Sequence, residues 1–284
     1  MAYDKKRILI GITVAAILIS LMCLIPAGNP ITLALFLAVA GLGSNEFYNI
    51  IERDGLPSSR RWGIAHGLIF TAATWLTLRY NEEAADTVLW SLLTLTLFSI
   101  FFRHLTIKDC NLALKTMTGT LFGFLYVPFL WSFMVRVFMS GNLSEPGWPG
   151  FFLLLMVKGC DTGAYFIGSK FGKTKLAPEL SPKKSWEGLG GAVLAALVIG
   201  LLWVHFTDGK LGPQSISYLH AIILAILIPL IGTAGDLVES LLKRAVDVKD
   251  SGVMAHGLGG ILDMIDSLLF AAPFLYIYQH FFLT

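Results

Sequence analysis

Charge is what this sequence is short of. Only 14% of its 284 residues are Asp, Glu, Lys or Arg, where a soluble domain carries roughly a quarter. The shortage runs along the whole chain, which excludes a soluble domain held by one anchor helix. Cysteine is scarce too: Cys23, Cys110 and Cys160 lie far apart without Cys-x-x-Cys spacing. That excludes a disulfide framework and a cysteine zinc site, and leaves all three as small apolar residues. Internal repeats and low-complexity tracts are missing, and no ten-residue alternation of apolar and polar residues suggests a β-barrel. A net charge of +2 names no partner, and nothing in it points to nucleic acid.

What is present is hydrocarbon. The chain is 55% hydrophobic with a mean hydropathy of +0.71, and apolar runs recur between short polar loops. Most reach the roughly 17 to 25 residues needed to cross about 30 Å of bilayer. Nine spans are predicted, near residues 8–25, 31–50, 64–79, 88–102, 117–139, 150–169, 188–206, 218–235 and 261–283. The fourth is the weakest, being short and bracketed by Asp86 and Arg103. The fold expected is all-α, a polytopic transmembrane helical bundle, because backbone facing lipid must satisfy its own hydrogen bonds. Met1–Arg7 followed by Ile8–Ile25 has the charge order of a signal peptide but no convincing small-residue cleavage site, so it is read as an uncleaved first span.

Orientation follows from the basic residues. With the N-terminus in the cytoplasm and strict alternation, every Lys and Arg except Arg79, Arg136, Lys158 and Lys210 falls on the cytoplasmic side or its helix ends. The expectation is N-in and C-out. Residues 1–149 are read as N-terminal spans, scaffold and lipid-facing, with few ionisable groups. Residues 150–284 are read as the catalytic region, because Lys158, Asp161, Asp236, Asp263 and Asp266 lie in or beside their apolar runs. Such a residue at mid-membrane costs about 2.5–3.5 kcal/mol on insertion scales and marks function by default.

Three segments carry chemistry. Lys158, Asp161 and Tyr165 share one face of the sixth span by their spacing. A basic loop follows, with Lys170, Lys173 and Lys175, then Ser181-Pro-Lys183-Lys184-Ser185-Trp-Glu-Gly188. It places three residues between Gly168 and Gly172 where a P-loop needs four, and a span precedes it rather than a strand, so the P-loop is rejected. Gly, Ser and Lys at a membrane surface still suit anionic phosphates. The densest segment follows the eighth span. At 100° per residue Asp236, Ser240, Lys243 and Asp247 fall in one arc, flanked by Glu239 and Arg244, which offers oxygens for a divalent cation and a cation for phosphate. Two glycines, Gly259 and Gly260, then open the last span, with backbone N–H groups that suit an anion. Asp263 and Asp266 lie one turn apart there.

The run Ser240-x-x-Lys243-Arg244, Lys249-Asp250, Gly259-Gly260, Asp263-x-x-Asp266 resembles the signature of the phosphatidate cytidylyltransferases. Asp161-Thr-Gly-Ala-Tyr165 and Ser181 through Gly188 resemble two further segments of that family. The resemblance implies transfer of a cytidylyl group from CTP to phosphatidate, with Mg²⁺ and a second cation as candidate cofactors. By motif match Asp236 and Asp263 are the implied metal ligands and, with Lys243, the catalytic residues. Substrate contacts are expected from Asp161, Ser181, Lys183, Lys184, Ser185, Ser240, Arg244, Lys249, Asp250, Gly259, Gly260 and Asp266. The implied partners are CTP, phosphatidate or a related lipid phosphate, membrane lipids and a second copy of the chain in a homodimer. The implied location is the bacterial cytoplasmic (inner) membrane, with the active site facing the cytoplasm.

Two positions depart from the family pattern. Alignment on Gly259-Gly260 puts Leu258 at the usual histidine and Met264 at the usual arginine, so Lys158, Lys184 or His256 is expected to compensate. Two other classes of reading stay beside this one: a cytidylyltransferase for another lipid phosphate, and an ion-coupled transporter whose intramembrane carboxylates and lysine carry ions. Polar residues gathered toward one face speak against the transporter.

Overall fold

The computed structural model describes residues 24–246 and 260–283. The predicted first span lies outside them apart from its last two residues, as do Cys23, Asp247, Lys249, Asp250, His256, Leu258 and Gly259. The rest is a bundle of long helices. Helix α1 (Pro30–Arg53) starts where the Asn29 side chain accepts the Ile31 N–H at 3.0 Å, with Pro30 at the first helical position, a site where its missing N–H costs nothing. Helices α2 (Arg60–Tyr80) and α3 (Ala85–His104) follow. Helix α4 (Cys110–Phe124) passes through a π-helical turn (Leu125–Phe129) into α5 (Leu130–Met139), one continuous span with Pro128 in the turn. The second half holds α6 (Trp148–Phe171), α7 (Trp186–Thr207), α8 (Tyr218–Ala245) and α9 (Ile261–Phe282).

The all-α bundle expected from the sequence is the fold found, and its helices lie where the second to ninth spans were predicted. Seven are long and apolar enough to cross a membrane, so the count of nine is not reached among the described residues. Of the other two, the first predicted span lies outside the described residues but for its end, and the remaining one is α2, not the fourth span singled out as weakest: Glu82–His104 qualifies. Helix α2 begins Arg60-Arg61 and ends Arg79-Tyr80, with several threonines and His66 between.

Lipid exposure is visible in the stripes left uncovered. Leu194, Val198, Leu202 and Phe206, one turn apart along α7, are 48% to 77% exposed, and Leu219, Ile222, Ile226 and Leu230 of α8 stand out in the same way. In water such stripes would drive aggregation; against acyl chains they are neutral. This is an integral membrane protein.

One apolar core runs through both halves of the chain, joining Phe36, Phe47 and Phe138 to Phe152, Met156, Leu224 and Leu269, so the division near residue 150 is no break in packing. Helices α6 and α7 approach most closely. A Cβ at Gly163 would lie 2.4 Å from the Gly191 carbonyl oxygen, and one at Gly191 2.6 Å from that of Gly163. Only glycine permits this contact, and in a bilayer close backbone approach is a main source of helix association. It fixes the ends of α6 and α7, and hence the basic segment between them. That segment, read from sequence as a loop, is a small antiparallel hairpin of β1 (Lys175–Ala177) and β2 (Ser181–Ser185), and a second lies at Lys210–Leu211 and Gln214–Ser215.

Candidate active site

A cavity of about 620 Å³ opens between α6, α7, α8 and the β1–β2 hairpin, within the range of ordinary ligand sites. One part of its wall is polar: Asp161 and Tyr165 from α6, Lys175 and Lys183–Lys184 from the hairpin, Asp236 from α8. Another is hydrocarbon, with Val157, Leu189, Ala192, Ile228 and Pro229. Such a wall suits an anionic amphiphile.

The polar groups are locked together. Lys184 Nζ lies 2.5 Å from Asp236 Oδ2, and Ser240 donates to Asp236 Oδ1 at 3.3 Å. Lys243 pairs with Glu239 one turn back and with Asp263 Oδ1 of α9 at 2.8 Å. Lys158 Nζ bridges Asp161 Oδ2 at 3.2 Å and the Met264 carbonyl oxygen at 3.1 Å. Arg244 Nε donates to the Leu180 carbonyl at 3.3 Å, tying the end of α8 to the hairpin. Asp266, 7% exposed, accepts the Ser267 N–H at 2.5 Å.

The expected residues therefore fall into two adjoining groups. Asp161, Lys183, Lys184, Ser185 and Asp236 line the cavity, where Ser185 also caps α7 by accepting the Gly188 N–H at 3.1 Å. Lys243, Asp263, Asp266, Ser240 and Gly260 form a cluster beside it, and Asp236 belongs to both. Ser181 pairs with Ala177 in the hairpin and Arg244 holds its turn; neither is among the cavity-lining residues. Lys249, Asp250 and Gly259 lie outside the described residues.

One expectation is corrected at the start of α9. Its first amides were read as open to an anion. Instead the Gly260 N–H is taken by Asp263 Oδ2 at 2.6 Å and the Leu262 N–H by Glu46 Oε2 at 2.8 Å. Amides buried in the bundle need acceptors, since no water reaches them. Carboxylates have filled that role.

Three further groups belong to the site, of which the sequence placed only Glu239, on the flank of the arc. Carboxylate oxygens of Asp236, Glu239 and Asp266 lie within 4.8 Å of one another. Glu239 is fully buried, and its Oε1 has no hydrogen-bond partner. Tyr126, in the π-helical turn and 5% exposed, also has an unpartnered hydroxyl, and it lies within electrostatic reach of those carboxylates. Glu46 of α1 is the third. The signal for Glu239 was its place one turn beyond Asp236. For Glu46 it was a carboxylate inside an apolar run.

These residues suit a cation. Asp236, Glu239 and Asp266 converge, and three ammonium groups (Lys158, Lys184 and Lys243) pair with carboxylates of the site, while Lys175 and Lys183 stand on the cavity wall. Three converging carboxylates, one with a buried oxygen that has no partner, are unfavourable in a low-dielectric bundle and suit a divalent cation. The motif-matched pair was Asp236 and Asp263. In this arrangement Asp236 converges with Glu239 and Asp266, and Asp263 is joined to them through Lys243.

Carboxylates and lysines beside a cavity that is part polar and part hydrocarbon define a membrane-embedded site for a charged amphiphile. The sequence matches the model of the cytidylyltransferase family over residues 5–282, and the chain belongs to that family. It is 31% identical to the phosphatidate cytidylyltransferase of Bacillus subtilis (strain 168) over 278 residues, 96% of each chain. Against that of Chlamydia muridarum (strain MoPn / Nigg) it is 28% identical over 285 residues, 95% of this chain and 91% of the other. Against that of Haemophilus influenzae (strain ATCC 51907 / DSM 11121 / KW20 / Rd) it is 43% identical over 161 residues, about half of each.

Proposed function

We infer that this protein is a phosphatidate cytidylyltransferase, converting CTP and phosphatidate to CDP-diacylglycerol and pyrophosphate. The observation that carries this reading is similarity along nearly the whole chain to a protein of that name. The cavity supports it: lysines on one part suit phosphates, and the hydrocarbon wall suits a glycerolipid.

In the reaction a phosphatidate oxygen attacks the α-phosphorus of CTP. The new P–O bond forms as the bond to the β-phosphate oxygen breaks, and pyrophosphate leaves with that electron pair. The nucleophile is already an anion, so no strong base is required, and catalysis rests on alignment and charge neutralisation. Lys183, Lys184 and Lys175 border the cavity where phosphates would lie, and Val157, Ile228 and Pro229 exclude water from its apolar part. Mg²⁺, held by Asp236 and Asp263 with Glu239 and Asp266 beside them, would polarise phosphoryl oxygens and offset the charge developing on the leaving group. A second cation would suit the remaining carboxylates. The site faces the cytoplasm of a bacterial inner membrane in this reading, where CTP is made.

The test is purified protein with labelled CTP, Mg²⁺ and a panel of lipid phosphates. Label should enter the organic phase with phosphatidate, and Asp236→Asn or Asp263→Asn should reduce it by more than about a hundredfold. Label appearing only with another lipid phosphate would replace the acceptor named here. Near-native turnover in either Asn variant would remove that residue from the metal set.

A further inference from the structure

Helix α9 carries Asp263 and Asp266, yet its first turn is built against a helix from the other half of the chain. A Cβ on Gly43 of α1 would lie 3.5 Å from Ile265 Cδ1 and 3.7 Å from Ile261 Cγ2. One turn further along α1, the buried Glu46 carboxylate accepts the Leu262 N–H. The next residue, Phe47, stacks on Tyr126 with ring centroids 4.9 Å apart. Residues 43, 46 and 47 of α1 therefore form a wall behind the carboxylate cluster.

The bond from Glu46 is placed where it governs Asp263. It fixes the amide of the residue immediately before Asp263, while Asp263 itself holds the Gly260 N–H with one oxygen and Lys243 with the other. The first turn of α9 is thus pinned from two directions, by its own aspartate and by a carboxylate 216 positions away in sequence. A Ser, Thr, Asn or Asp side chain on the preceding residue is the common way to cap a helix. Here Gly260 supplies no side chain, and the acceptor comes instead from a packed neighbouring helix that cannot follow the turn if it frays.

We propose that Glu46 is a positioning residue of the active site, holding the first turn of α9 so that the Asp263 carboxylate is presented to Lys243 and to the metal. The proposal rests on the metal-dependent transferase reading. It assigns the N-terminal half a part in the chemistry beyond scaffolding.

The experiment compares full-length Glu46→Gln, Glu46→Asp and Glu46→Ala in detergent. Gln keeps the reach and an oxygen acceptor; Asp keeps the charge but is one methylene short; Ala loses both. Binding of Mn²⁺ alone is read from the EPR signal of the free ion, and kcat, KM for CTP and half-saturating Mg²⁺ are read from product formation. Outer residues that orient metal ligands cost about 10- to 100-fold when removed. The expected result is Mn²⁺ affinity and kcat lowered about tenfold or more in Glu46→Ala and Glu46→Asp, with KM for CTP changed far less. Glu46→Gln should recover most of both. Thermal unfolding monitors the fold, and Glu46→Asp with Glu46→Gln carry the test if the Ala variant is lost. Wild-type Mn²⁺ affinity in Glu46→Asp overturns the proposal, as does a Gln variant as impaired as the Asp one, since an acceptor of the right reach would then not be what the site needs. A wild type that forms no lipid nucleotide would defeat the transferase reading, while the Mn²⁺ ranking would still decide the role of Glu46.

Discussion

Replacing Lys184 by Met should separate the two partners of that side chain. In the structure its ammonium pairs with Asp236 Oδ2 at 2.5 Å, so a cation seeking that oxygen must displace it. Displaced from Asp236, the same ammonium, which lines the cavity, would be available to a phosphate of CTP. A charge-assisted hydrogen bond is worth about 1.5–3 kcal/mol, which at 1.36 kcal/mol per decade is about 10- to 150-fold. The two side chains retain 22% and 31% of their exposure, so screening places the effect near the lower end, about tenfold. The signs are opposite for the two ligands. Without nucleotide, Lys184→Met should bind Mn²⁺ more tightly, because the competing ammonium is gone. In turnover it should raise KM for CTP about tenfold or more, because a phosphate partner is gone. EPR titration and initial rates at varied CTP measure these separately. An unchanged KM for CTP would refute the reasoning and return Lys184 to a structural ion pair.

Lys158→Met should lower turnover on phosphatidate by more than about tenfold, measured with labelled CTP, because Lys158 grips both Asp161 and the Met264 carbonyl and so places an ammonium beside the residue that stands in for the family's usual arginine; wild-type turnover would leave that compensation to other residues. A single cysteine at Ser181, in a background lacking Cys23, Cys110 and Cys160, should react with an impermeant thiol reagent only from the cytoplasmic face. Labelling from the opposite face would overturn the N-in orientation.

The helices from Pro30 onward were legible because membrane spans are long and nearly uniform in composition, and length alone fixes them to within a few residues. What failed was local. Hydropathy ends the eighth span at 235, yet α8 continues to Ala245, so the arc that includes Asp236, Ser240 and Lys243 is the end of the span itself. The hairpin at 175–185 has strands of three and five residues, too short and too lysine-rich for a period-two pattern. Asp161, Lys184, Asp236, Lys243, Asp263 and Asp266 could be nominated from charge placed in apolar surroundings and from the motif. Their partners could not. Lys184 meets Asp236, Lys158 meets Met264 and Glu46 meets Leu262 across separations no local spacing encodes, and packing alone decides which oxygen each donor reaches. The opposite error, reading the amides of α9 as free, came from treating a helix start as solvent-facing when Glu46 was already beside it.

The π-helical turn at Leu125–Phe129 works as a phase shifter within a single rod. An α-helix advances 100° per residue, so the one extra residue accommodated by a wider turn rotates everything beyond it by about that angle relative to an uninterrupted helix. Below the turn the rod packs on α2 and α3; above it, on α9, α2 and α6. With the extra residue in place, Trp131 meets the Phe36 carbonyl at 3.2 Å and Arg136 reaches both Asp86 at 2.9 Å and the Tyr276 hydroxyl at 2.8 Å. Without it these side chains would point about a quarter-turn away. The two halves of this span can therefore each keep their own set of neighbours, and the single residue of slack between them lets one continuous helix serve both.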